Sequence, residues 1–203
     1  AAPLKTLFAP PYRNVLLVNL LLTFGGGAGY YLTSGYLPTF LKVINGISNN
    51  AAALVLMAAS VVAFISAVVT GILSDRLGRK KSFLMLGVIA IVVLPLLYLG
   101  LGKTNDMAAI TAYALAIAFV GNAGYAPILI FLNERFPTAL RASGTGLSWN
   151  IGFALGGMTP TFVSLASPTP AALPMSLAVA SVLVYLIYLV GAVIIPETKG
   201  QFE

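Results

Sequence analysis

Cysteine and histidine are absent from this 203-residue chain, and charge is scarce, at 8% of residues against 59% hydrophobic. Without Cys or His, a structural or catalytic zinc site is excluded, as are disulfides, thiol catalysis and any Ser-His relay. Intramembrane proteases lose both their metal and their dyad by the same absence. A soluble domain carries about 25% charge, and so few polar side chains cannot cover a surface in water. A mean hydropathy of +0.98 makes lipid the solvent and excludes soluble enzymes and disordered tails. Nothing calls for a cofactor or a metal, and no catalytic constellation is present.

The net charge of +6 would suit nucleic acid, but the eleven basic residues sit between apolar runs. They read as topology signals, with no nucleic-acid partner. A chain that opens on Ala1 and lacks the order of a signal peptide reads as an excised piece.

A membrane-spanning helix needs roughly 20 apolar residues. Six such stretches occur, at about 14–41, 50–74, 82–102, 107–132, 142–166 and 172–195. The expected fold is therefore an all-α membrane protein of six transmembrane helices. Residues 1–13 form a cytoplasmic lead-in, 14–195 the bundle and 196–203 a cytoplasmic tail. With both termini cytoplasmic, nine of the eleven basic residues face that side, and only Lys42 and Lys103 face out. The positive-inside rule selects this orientation, and an even helix count agrees with it.

Polarity sorts the spans by neighbour. Leu84 to Leu97 carries no hydrogen-bonding side chain, and the last span is nearly as bare until Tyr185 and Tyr188, so both are expected to face lipid. The first, fourth and fifth spans carry polar groups and glycine at mid-depth and are expected to line an interior. Tyr30, Tyr31, Asn122, Tyr125 and Asn150 are the candidate cavity residues. Two readings stand for each of them, interhelical hydrogen bonding and ligand contact. Ala59, Ala63, Ala67 and Gly71 recur every four residues in the second span, a spacing that lets another backbone approach. Gly26 to Tyr30 is echoed by Gly121 to Tyr125, and glycine runs with Pro127 favour a helix break at each place.

Two loops carry a mechanism. After the second span the chain reads Gly71-Ile-Leu-Ser-Asp75-Arg76-Leu77-Gly78-Arg79-Lys80-Lys81. Asp75 can cap a helix start, Gly78 permits a tight reversal and Arg79 can pair with a carboxylate. Between the fourth and fifth spans lies Glu134-Arg135-Phe136-Pro137-Thr138-Ala139-Leu140-Arg141. Asp75, Arg76, Arg79, Glu134 and Arg141 are thereby expected at one cytoplasmic depth, where a charge network can act as a gate. Gly100 to Thr104 mimics a phosphate loop but lacks its first glycine, and Ser148 has no histidine to activate it.

The D-R-x-G-R-K loop, the E-x-F-P-T-x-x-R-x-x-G link and Pro196-Glu197-Thr198-Lys199-Gly200 resemble the C-terminal six-helix half of a major facilitator superfamily transporter. The metabolite:proton symporter branch is the nearest, with sugar porters as cousins. The resemblance implies helices seven to twelve of a transporter, two inverted three-helix repeats, a multi-pass place in the bacterial inner membrane and a lipid bilayer as partner. It also implies proton-coupled alternating access for a small polar metabolite, an organic acid, osmolyte or sugar, shared with a missing N-terminal half. No acid lies mid-span, so this half offers no proton relay. A self-contained six-helix carrier or channel, alone or as a homodimer, and a non-transporting scaffold are the competing readings.

Overall fold

The computed structural model describes residues 3–199, which are helical with no strand among them. The expectations placed on residues 1–2 of the lead-in and 200–203 of the tail, Glu203 included, lie outside the described residues. In chain order the elements are α1 (Pro3–Phe8), α2 (Tyr12–Tyr30), a π-helical turn (Tyr31–Gly35), α3 (Leu37–Val43), α4 (Asn49–Leu77) and α5 (Arg79–Leu101). They continue with α6 (Met107–Ala123), α7 (Ile128–Asn133), α8 (Thr138–Gly156), α9 (Thr159–Leu165), a 3-10 turn (Pro170–Ala172) and α10 (Leu173–Ile194).

The ends follow from local chemistry. Ser48 accepts the Ala51 N–H at 3.2 Å and Asp106 that of Ala109 at 3.1 Å, so α4 and α6 begin on capping side chains. Gly78 turns the chain from α4 into α5 at φ 95°, in the left-handed region open to glycine. Pro137, extended at ψ 159°, launches α8.

Five segments are long and apolar enough to cross a membrane: Tyr12–Val43, Asn49–Leu77, Arg79–Leu101, Met107–Asn133 and Pro170–Ile194. The expected fifth span is also helical, as α8 and α9. Its polar residues, not its length of 19 residues in α8, keep it out of that set. At 1.5 Å per residue the 23-residue α5 is about 35 Å long, enough for a hydrocarbon core of roughly 30 Å. Its outer face exposes Val88, Val92 and Leu96, and that of α10 exposes Leu183, Val190 and Val193. In water such faces would aggregate, whereas in lipid they meet their own solvent.

Packing repeats itself. Helix α2 lies against α8 and α10, α6 lies against α4 and α5, and α5 lies against α10. Exchanging α2–α3 with α6–α7, α4 with α8–α9 and α5 with α10 maps that arrangement onto itself. This is the pattern of two three-helix repeats of opposite direction. A serine joins each equivalent inner pair: Ser66 Oγ donates to Phe119 O at 2.7 Å, and Ser148 Oγ accepts from Asn19 Nδ2 at 3.3 Å.

The first interruption falls later than its glycine run suggests, whereas the second opens within its run, α6 ending at Ala123 with turns over 124–127. Gly25 to Gly29 are buried within α2, where they admit neighbours; a Cβ at Gly25 would lie 2.7 Å from that of Tyr188. The breaks instead precede or contain prolines. Pro38, Pro127 and Pro160 lack an N–H for the carbonyl four residues back, and the helices open just upstream of or around them. Beside Pro160 the Thr159 hydroxyl takes over Gly156 O at 2.6 Å.

The small-residue row on α4 departs from its expected use. Ala59 is buried, but Ala67 is exposed and a Cβ on Gly71 would meet nothing within 4 Å. The buried face of α4 runs through Ala52, Val55, Ala59, Ser66, Thr70 and Ser74 instead.

Candidate functional site

Where the π-turn after α2 meets α4 and the break after α6, the helices enclose an open concavity of about 410 Å³. Tyr30, Ser34, Leu37 and Pro38 come from the first span, Leu56, Ala59, Ser60 and Ala63 from α4, and Asn122 and Tyr125 from the α6 break. The end of α2 brings Tyr30 to this space and the π-turn brings Ser34. Asn122, buried at the end of α6, donates to Ser34 Oγ at 3.1 Å and to Ala118 O at 2.7 Å. Both amide protons are thereby committed, which leaves Asn122 Oδ1 to accept and the Ser34 hydroxyl to donate. No charged side chain is among the lining residues. The wall can hold a solute by hydrogen bonds and aromatic faces.

Of the five expected cavity residues, the structure brings together Tyr30, Asn122 and Tyr125. The Tyr30 and Tyr125 rings meet edge to face at 5.3 Å. Tyr31 turns aside, packing on Tyr30 at 5.3 Å and on Phe153 at 6.5 Å. Asn150 lies apart from these three. It is exposed, and its amide donates back to Gly146 O in its own helix at 2.8 Å. Trp149, one residue earlier and about 100° around the helix, takes the inward place, stacked on Phe153 at 4.2 Å and 6.3 Å from Tyr125.

The second constellation sits at the end of the bundle formed by the start of α5. Arg79, 5% exposed, grips Glu134 in a fork, Nε to Oε1 at 2.7 Å and Nη2 to Oε2 at 3.0 Å. Its Nη1 donates to Asp75 Oδ1 at 2.6 Å and to Ser74 Oγ at 2.9 Å. The Thr198 hydroxyl adds a bond to Glu134 Oε1 at 3.0 Å. Asp75 thus pairs with Arg79, where a helix start was expected as its partner, and its side chain is 63% exposed. Arg76 is exposed, and its carbonyl accepts from Lys199 Nζ at 3.3 Å. Arg141 is half-buried in the first turn of α8.

The helix-start role belongs to Glu197, whose carboxylate accepts the Arg79 N–H at 2.8 Å and the Lys80 N–H at 3.1 Å. In return Lys80 Nζ donates to Val193 O at 2.7 Å and Ile195 O at 2.9 Å, the C-terminal carbonyls of α10. Partial burial raises the Glu197 pKa, but the N–H groups of Arg79, Lys199, Lys80 and Thr198 outweigh it and hold the carboxyl below its ordinary value. Arg135, desolvated beside the Phe131 ring, has its pKa lowered. Sequence reasoning passed over Ser74 and Thr198 as partners. Glu197 had a signal, since it stands in the terminal motif, but nothing in that motif says which groups it meets.

Residues 1–161 match the family model described as Major Facilitator Superfamily. A "Probable 4-methylmuconolactone transporter" of Cupriavidus pinatubonensis is 28% identical over 199 residues, covering 98% of this chain and 45% of that protein. A proline/betaine transporter of Escherichia coli (strain K12) is 30% identical over 77% of this chain and 31% of its own length. An ectoine/proline transporter of Corynebacterium glutamicum is 32% identical over 73% of this chain and 29% of its own. The chain spans less than half the length of each of these relatives.

Proposed function

Because this chain belongs to the major facilitator superfamily, we propose that it forms one six-helix half of a secondary transporter that moves a small polar metabolite by alternating access. Its place is the plasma membrane, which it crosses several times. The observation that carries the proposal is the concavity. Two interrupted helices and α4 supply one uncharged, hydrogen-bonding wall of about 410 Å³, open on its remaining side. The second wall is assigned to an N-terminal half, in keeping with relatives more than twice as long.

The substrate class is an organic acid, a zwitterionic osmolyte or a sugar, in line with the lactone, betaine and proline named for the relatives. Coupling to protons needs a titratable group near the substrate, where occupancy can shift its pKa. Asp75, Glu134 and Glu197 lie at one end of the bundle and Asp106 caps α6 at the other. No acid among the described residues stands at the concavity, which supports assigning the proton site to the other half.

In this scheme the Arg79 network acts within one half. It joins the α4–α5 turn, the α7–α8 link and the tail into one body, and it leaves the Asp75 carboxylate exposed for a partner across the gate. The decisive experiment is reconstitution of the 203-residue chain in liposomes under a pH gradient, with and without a co-expressed N-terminal half. Uptake of organic acids, osmolytes and sugars is followed. Transport is expected only with both halves, and saturable uptake by this chain alone would replace the proposal with a self-contained carrier.

A further inference from the structure

The two interruptions that shape the concavity are completed in the same way. In each, an N–H that would serve the carbonyl four residues back bonds one residue later. Tyr36 N–H goes to Thr33 O and passes over Leu32 O, and Ile128 N–H goes to Tyr125 O and passes over Gly124 O. In each, a tyrosine hydroxyl from an outer helix takes the carbonyl passed over. Tyr98 Oη on α5 donates to Leu32 O at 2.7 Å, and Tyr188 Oη on α10 donates to Gly124 O at 2.5 Å. Each tyrosine belongs to the third span of the same three-helix repeat as the carbonyl it reaches.

The anchored carbonyls stand beside the lining. Tyr30 and Ser34 flank Leu32 at two residues on either side, while Asn122 and Tyr125 bracket Gly124. Burial alone does not account for the bonds. Tyr185, three residues before Tyr188 and 0% exposed, keeps a hydroxyl with no hydrogen-bond partner. An unserved carbonyl in a bilayer has no water to turn to, so broken helices persist only where a neighbour supplies a donor.

We propose that Tyr98 and Tyr188 are positioning residues: each supplies the donor that the broken backbone ladder lacks and so fixes the cavity-facing side chains beside it. The transport consequence rests on the concavity being the substrate site, whereas the structural consequence does not.

The test uses the full-length transporter with Tyr98→Phe, Tyr188→Phe and Tyr185→Phe, which remove one hydroxyl and keep the ring. Amide hydrogen exchange is expected to quicken about tenfold over residues 31–37 in Tyr98→Phe and over 124–129 in Tyr188→Phe. Each variant should leave the other interruption unchanged, and Tyr185→Phe should alter neither. Pro127→Ala restores a regular ladder around Gly124, so in the Tyr188→Phe background it should return 124–129 to the parent rate. That double variant also decides the matter if Tyr188→Phe alone fails to fold. Uniform acceleration across the bundle, an equal effect of Tyr185→Phe, or no rescue by Pro127→Ala overturns the proposal. For a solute the parent transports, Tyr98→Phe and Tyr188→Phe should raise KM, and Tyr185→Phe should not. A parent that takes up no solute would refute the substrate-site reading, and the exchange data would still judge the anchors.

Discussion

Replacing Glu134 by Gln removes a charge and keeps the shape, which makes it a direct probe of the Arg79 cluster. The guanidinium makes four hydrogen bonds, two to Glu134, one to Asp75 and one to Ser74. The side chains of Arg79 and Glu134 are 6% and 11% exposed, so the pair is held away from water. Removing one member of such a pair leaves a buried charge half-served, at a cost of about 3–5 kcal/mol. Asp75 faces the same guanidinium at 2.6 Å but is 63% exposed, and solvent competes for it. Asp75→Asn should therefore cost about 0–1 kcal/mol. At about 2–4 °C per kcal/mol for a folding unit of this size, Glu134→Gln should lower the melting midpoint by about 6–20 °C and Asp75→Asn by less than about 4 °C. Thermal unfolding in detergent followed by circular dichroism at 222 nm measures both. Equal losses for the two variants would mean that burial does not set the strength of this network.

Further outcomes follow from other parts of the bundle. The depressed pKa of Glu197 contributes stability that is present above its ordinary value of 4.5 and lost as pH falls through the folded value. Glu197→Gln should accordingly flatten the acid limb of a stability-against-pH curve, and an unchanged limb would contradict this. Gly156→Ala places a Cβ 2.6 Å from the Ala28 backbone and should cost about 1–3 kcal/mol by parting α2 from α8. Gly146→Ala has nothing within 4 Å and should cost nothing by collision, so similar midpoints for the two would refute the close approach. In a chain without cysteine, Lys103→Cys should react with an impermeant thiol reagent in whole cells and Lys81→Cys should not; the reverse would invert the topology.

Much of this was legible in the sequence because it depends on local chemistry. Apolar runs mark the helices, and the paired loops bring Arg79 to Glu134. The second break fell where Gly124 and Pro127 pointed, but the first was displaced because glycine signals two things. At Gly25 to Gly29 it serves close approach inside an intact helix, and the opening comes only ahead of Pro38. Asn150 shares a face with Phe153 in a helical count, but its exposure depends on how α8 is rotated against α2, which tertiary contacts decide. The tyrosine anchors span 66 and 64 residues of chain, and a hydroxyl meeting a carbonyl leaves no periodic trace.

The reciprocal caps at the α5 and α10 ends join groups made at very different moments. Glu197 follows Arg79 by 118 residues. At roughly 5–20 residues per second, synthesis of that interval takes about 6–24 s. Throughout it the Arg79 and Lys80 amides lack their tail partner, and from its own synthesis onward so does the Glu134 carboxylate. The bundle closes only when Glu197 and Thr198 arrive, so truncation before Glu197 would leave every span inserted and the assembly unlatched.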